Sequence, residues 1–192
     1  MIYLDANIDQ FDLEQALATV SPQRRAHALR YRNERDQRLC LAAYRLLQQS
    51  LRVDYGIDNP RPEFIYDDNG KPLLKGHPGI HFSMSHCHEA AVLAIDNAPV
   101  GIDIETCDNY SLEVAASVMS EAEMRQILES PHPAHEFTRL WTMKESLYKL
   151  TGDDNDGDIR HMLDKMPPVI FETIVFPHSV CSVCSYDKTV TS

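Results

Sequence analysis

"FTRLWTMKESLYKLTG", residues 137–152, decides how the rest of this 192-residue chain is read. Leu140, Leu147 and Leu150 recur at helical spacing and predict a core-facing stripe. Lys144, Glu145 and Lys149 crowd charge around that stripe, beside Trp141, the only tryptophan present. Glu145 and Lys149 stand at i, i+4, the favourable order for a surface ion pair worth ~0.3–0.5 kcal/mol. Trp141 argues for more than a surface pair, because it falls one turn before Glu145 and sets the acid beside an apolar body. Lys144 lies about 100° around the helix from Glu145, so the two lysines are expected to flank one anionic group from different sides.

Outward from this helix, predicted from about Glu136 after a break at "PHPAH", Ser120 and Glu123 form a capping box that starts a shorter helix to about Leu128. Further upstream, "VGIDIE" (100–105) reads as a strand after the turn "DNAP". Asp103 and Glu105 are two apart, so both carboxylates project from one face. Like charges that close repel unless a cation or water separates them. A hard divalent ion satisfies them, and Mg²⁺ uses one or two carboxylates plus substrate phosphates. The plainer alternative is a strand with an acidic outer face, and D-x-E alone does not exclude it.

The N-terminal part opens with a strand in "MIYLDANI" and a helix over Leu13 to Leu17. Ser21 and Pro22 are an N-cap and a first-turn proline, and the helical pattern runs on to about Val53 with a break near Tyr31. "PRPEFIYD" is strand-like and "DDNGKP" is a turn. "GIHFSMSH" alternates as a strand does, and "AAVLAI" is a continuous apolar run suited to a strand buried on both faces. At the other end, "PPVIFETIVF" and "VCSVCSY" predict a two-stranded hairpin. A helix followed by strands occurs in both halves with a seam near Asn97. That predicts an α/β (α+β) architecture in two parts, 1–97 and 98–192, the second carrying the acidic residues.

Composition sets outer bounds. The chain is 43% hydrophobic and 24% charged, ordinary for a globular protein, with a formal net charge of −11 that argues against coating nucleic acid. No apolar run approaches the ~20 residues of a membrane span, and the N-terminus has no leader pattern. Five cysteines do not read as a disulfide framework, so a cytoplasmic home is expected. Between Arg24 and Arg38, six arginines face two acids, which marks either a local phosphate-binding surface or a solvated helix face. Ser85 and His86 close a predicted strand; they suit receipt of a phosphate better than a nucleophile–base pair. Cys181 and Cys184 fall on opposite faces of a strand and read as core. "DDNDGD" (153–158) reads as a solvated acidic loop, its glycine out of register for a calcium site.

Taken in order, "GKPLL", "IHFSMSHC", "VGIDIE" and "FTRLWTMKESLYKLTG" resemble the Sfp-type 4′-phosphopantetheinyl transferases over roughly residues 24–152. The resemblance implies a monomer built as a pseudo-dimer of two similar α/β halves, the fold of that family. It implies transfer of 4′-phosphopantetheine from coenzyme A to a serine of an apo acyl or peptidyl carrier protein, with adenosine 3′,5′-bisphosphate released. It further implies that Asp103, Glu105 and Glu145 hold Mg²⁺, that Glu145 is the general base, and that Lys149 lies near the pyrophosphate with Lys144 as an auxiliary lysine. Lys71, Ser85 and His86 resemble coenzyme A contacts, and Arg35 and Arg38 match a basic helix that meets the 3′-phosphate. Neither nucleic acid nor membrane is an implied partner. The sequence departs from the family pattern at Ser83, where asparagine is common, at Met84, and in the acidic "TGDDNDGDI", where a glycine-rich apolar segment is usual. An Mg²⁺-dependent phosphohydrolase and a silent carrier-protein-binding homologue are the alternatives.

Overall fold

The computed structural model describes residues 1–152 and 157–189, so most of the expected acidic loop lies outside the described residues. The chain forms two compact units, Met1–Ala98 and Pro99–Ser192.

In the first unit, strand β1 (Ile2–Asp5) is followed by helices α1 (Leu13–Thr19), α2 (Pro22–Ala28) and α3 (Glu34–Asp54). The break near Tyr31 is real: Asn33 begins α3 anew, its side chain accepting a hydrogen bond from the Arg35 amide. Strands β2 (Phe64–Tyr66) and β3 (Pro72–Leu74) make a small hairpin. Strands β4 (His81–His86) and β5 (Ala91–Asp96) join β1 in an antiparallel sheet of order β1-β5-β4. The apolar run 91–95 is buried throughout because β5 is the central strand and is covered by α3. Leu41, Tyr44, Leu47, Leu51, Phe82 and Leu93 form the heart of the core. Among the described residues no helix is long and apolar enough to cross a membrane.

The second unit begins with β6 (Val100–Thr106) and continues through α4 (Leu112–Val118), α5 (Glu121–Glu129) and α6 (Pro133–Thr151) to the hairpin β7 (Val169–Val175) and β8 (Ser179–Tyr186). Its antiparallel sheet has the order β6-β8-β7. Helix α6 starts three residues earlier than its pattern predicts, because Pro133 occupies its first turn instead of breaking the chain. Gly152, at φ 72°, terminates it in the left-handed conformation. Cys181 and Cys184 are both buried, as core residues.

Helix α6 packs on β6 and β8, and Gly101 sets how closely. A Cβ at position 101 would lie 1.9 Å from the carbonyl oxygen of Ser146 and 2.7 Å from the amide nitrogen of Leu150. Both are backbone atoms of α6, so no side chain can move aside. Gly101→Ala is therefore expected to push helix and strand apart, at a cost near the upper end of the ~1–3 kcal/mol of overpacking. Thermal unfolding would register it, and an unchanged melting temperature would refute the close approach.

Candidate active site

The alternation of β6 buries Ile102 and Ile104 on one face and turns Asp103 and Glu105 to the other. Asp103 is 2% exposed, so the strand is not a solvated acidic edge. Helix α6 covers this face and brings its charges down onto it. The Lys149 ammonium donates to Asp103 Oδ1 at 2.6 Å. The i, i+4 arrangement on α6 thus serves a partner on the sheet 46 residues away in sequence.

Glu105 and Glu145 share the field of that pair. Burial, then the nearby Asp103 and Glu145 charges, push the Glu105 carboxyl up to about 7, against the opposing pull of Lys149 and a hydrogen bond with Asn109. Glu145 is raised for the same reasons, first burial and then Asp103, with Lys149 opposing. Three carboxylates and one ammonium therefore occupy a single electrostatic neighbourhood. Beside it lies a cavity of about 280 Å³, whose lining includes the polar Glu105 and Asn109 and the apolar Val114, Val118, Phe137 and Trp141. Trp141, the apolar body expected beside Glu145, lines this cavity together with Glu105.

A raised carboxyl has a consequence for stability. The folded chain binds a proton at Glu105 more tightly than the unfolded chain, whose value is near 4.5, so this group's contribution is full below that pH and is lost as pH rises through about 7. Glu105→Gln should leave metal-free stability unchanged at low pH and raise it above neutrality, each kcal/mol relieved being worth ~2–4 °C in a chain of this size. Paired melting curves with a chelator present, from acid to mildly alkaline pH, measure the difference. A difference that stays flat across that range would remove the crowding of charge from the account.

Lys144 departs from expectation. It is fully buried and turned away from the carboxylates. Its ammonium donates to Glu123 Oε2 at 2.7 Å and to the carbonyls of Val118 at 3.0 Å, Ile159 at 2.9 Å and Arg160 at 3.1 Å. The reason is the 100° helical step: with Glu145 and Lys149 directed to the sheet, Lys144 falls on the flank of α6 that meets α5. The Glu123 carboxylate also accepts from the Ser120 amide in the capping box that opens α5. A capping signal was legible in the sequence, but its use as the counter-ion of a buried lysine was not.

The other expected site residues belong to the first unit. Arg35 donates to the carbonyl of His88 at 2.8 and 3.1 Å and pairs with Asp9 at 3.0 Å, which holds it against the turn after Ser85 and His86. Arg38 is engaged as well, with Glu34 at 2.7 Å and with the carbonyl of Phe11. Neither guanidinium stands as an open cation, because each has a carboxylate from its own unit. The His86 ring meets Tyr31 edge-on, with centroids 5.9 Å apart. Lys71 lies in the turn before β3, where burial lowers its proton affinity and Asp67 opposes the shift.

Residues 99–179 match the family model of the 4′-phosphopantetheinyl transferase superfamily, a span that takes in β6, α6 and the charged residues Asp103, Glu105, Glu145 and Lys149. A 4′-phosphopantetheinyl transferase from Bacillus subtilis is 30% identical over 97% of this chain and 85% of its own length. The chain belongs to the 4′-phosphopantetheinyl transferases. It is also similar to the transferase Sfp of Bacillus subtilis, 31% identical over 79% of the chain and 68% of that protein. The transferase psf-1 of Bacillus pumilus is 36% identical over 78% of the chain, and the match spans 65% of that protein's length.

For a phosphopantetheinyl transferase of this kind the metal is the remaining question of the site. Among the described residues, no three carboxylate, imidazole or thiol groups are gathered into a ready coordination cage. The donor set nevertheless suits a hard divalent ion: every candidate is a carboxylate, and two of the three are pushed toward protonation first by burial and then by their neighbours' charge. Mg²⁺ does not demand a complete protein cage, since it retains waters and takes phosphate oxygens.

Proposed function

We propose that this chain transfers 4′-phosphopantetheine from coenzyme A to a serine hydroxyl of an apo acyl or peptidyl carrier protein. The observation that carries the reading is the juxtaposition of Lys149 on Asp103 with Glu105 and Glu145 in their field, since this pattern handles phosphates and a proton together. The serine oxygen attacks the β-phosphorus of the coenzyme A pyrophosphate. The bond from that phosphorus to the bridging oxygen breaks, and adenosine 3′,5′-bisphosphate leaves. Glu145 takes the serine proton, directly or through a water, and its raised proton affinity brings it closer to the operating pH of a general base. Lys149 stabilises charge that develops on the phosphates.

Asp103, Glu105 and Glu145 are the residues that would hold Mg²⁺, which when bound neutralises pyrophosphate charge and orients it for in-line attack. Lys71, Ser85, His86, Arg35 and Arg38 are proposed to hold coenzyme A. For the two arginines this means exchanging Asp9 and Glu34 for phosphate, a trade favoured by the higher charge of the phosphate. Lys144 has no direct part in this scheme. Both residue sets lie in one chain, so a monomer is the expected active form, and its free cysteines favour a reducing cytoplasm.

The deciding experiment is mass spectrometry of an apo carrier protein incubated with coenzyme A, Mg²⁺ and this chain. Addition of one phosphopantetheine to the serine is the expected result. Release of free phosphopantetheine without any carrier adduct would instead assign a phosphohydrolase.

A further inference from the structure

Among the described residues, α6 is hydrogen-bonded to one polar row of the sheet at two points, one in the charged site and one outside it. Asp103, Ser182 and Thr173 are register partners across β6, β8 and β7, so they form one polar row on the face that α6 covers. Lys149 meets this row at Asp103. Two helical turns earlier, Thr142 meets it at Ser182, with 2.8 Å between the hydroxyl oxygens, and Ser182 is in turn 3.1 Å from the hydroxyl of Thr173. Thr142 and Ser182 are wholly buried.

The direction of the hydrogen bonds follows from counting protons. Thr142 Oγ1 lies 3.1 Å from the carbonyl oxygen of Arg139, which can only accept. Each hydroxyl carries one proton. Three bonds in series are therefore all made only if Thr173 donates to Ser182, Ser182 donates to Thr142, and Thr142 donates to the carbonyl. The chain runs one way, from the edge strand β7 into the backbone of α6. A shift of the helix along or about its axis would break it and leave buried hydroxyls unsatisfied.

Glu145 lies between the two attachments. We propose that Thr142 and Ser182 are positioning residues: their hydroxyl chain fixes the setting of α6 over the sheet and thereby the placement of Glu145 and Lys149 against Asp103. The proposal rests on the transferase reading for its kinetic consequence but not for its spectroscopic one. Trp141 is the sole tryptophan and stands next to Thr142 on α6, so its emission reports a resetting of the helix whatever the chain catalyses.

The test compares Thr142→Val, which keeps the shape and removes the hydroxyl, with Thr142→Ser, which keeps the hydroxyl, both in the full chain. A small displacement of reacting groups costs rate steeply, so kcat of Thr142→Val is expected to fall by about tenfold. The KM for coenzyme A is expected to stay within about twofold, as it does when an interaction expressed only in the transition state is lost. The emission maximum or acrylamide quenching of Trp141 should change in the same variant, and Thr142→Ser should match the native protein in every measure. Native kcat and native Trp141 emission in folded Thr142→Val overturn the proposal. Equal losses in Thr142→Val and Thr142→Ser overturn it too, since packing of the methyl and not the hydroxyl would then be at work. If Thr142→Val does not fold, Ser182→Ala, which removes a single oxygen from the same chain, is read by the same criteria. Should the native chain transfer nothing, the functional reading fails, and the Trp141 comparison alone decides this one.

Discussion

Glu145→Gln is expected to lower carrier-protein transfer by ~10²–10⁴ in kcat, the contribution of a general base, while leaving the chain folded. The substitution is isosteric and removes a charge from a neighbourhood that already holds Asp103 and Glu105. Without metal, the melting temperature should therefore stay level or rise, because repulsion among the carboxylates is relieved. Addition of Mg²⁺ with coenzyme A should stabilise the native protein and stabilise the variant less. The two readouts separate chemistry from structure. If Glu145 were only half of a surface ion pair with Lys149, the change would cost a few tenths of a kcal/mol and turnover would survive. A folded variant with near-native turnover would end the assignment of Glu145 as base and ligand.

Lys144→Met is expected to be the most destabilising single change at this helix. It fills the same channel but leaves the Glu123 carboxylate and the carbonyls of Val118, Ile159 and Arg160 without their shared donor. Removing one member of a buried ion pair costs ~3–5 kcal/mol, or about 6–20 °C in melting temperature at this chain length. Burial lowers the proton affinity of Lys144 and Glu123 opposes that shift, so the ammonium is held by its partners and not by solvent. Removing both charges, as in Glu123→Met with Lys144→Met, should recover part of the loss, because no uncompensated carboxylate then remains. A single Lys144→Met variant as stable as the native chain would contradict the buried hub. It would also reopen the idea that this lysine serves the phosphates.

The elements were largely legible because each carries a local signal. The continuous apolar run at 91–95 marked a strand buried on both faces, and the Ser120–Glu123 capping box marked the start of α5. Helix α4 escaped notice: seven residues, "LEVAASV", are too few for a stripe to emerge, and its β-branched valines are as suited to a strand. Pro133 misled for a related reason. A proline ends a helix from within but starts one at the first turn, and only the path of the chain distinguishes the two.

At the site the division is just as physical. By itself the sequence determined which chemistry was present: two carboxylates on one strand face, and an acid and a lysine on one helix face, because side-chain direction in strands and helices follows from periodicity alone. The tertiary structure decided which of these groups meet. Lys149 and Lys144 are indistinguishable in kind, five residues apart on one helix, yet one reaches Asp103 across the sheet and the other is enclosed by Glu123 and three carbonyls. That choice depends on the rotation of α6 and on its distance from β6. Both are set by contacts distant in sequence: the missing side chain at Gly101 and the hydroxyls of Ser182 and Thr173 beneath Thr142. No local pattern encodes them, since each acts only once a strand and a helix some forty residues apart have been packed together.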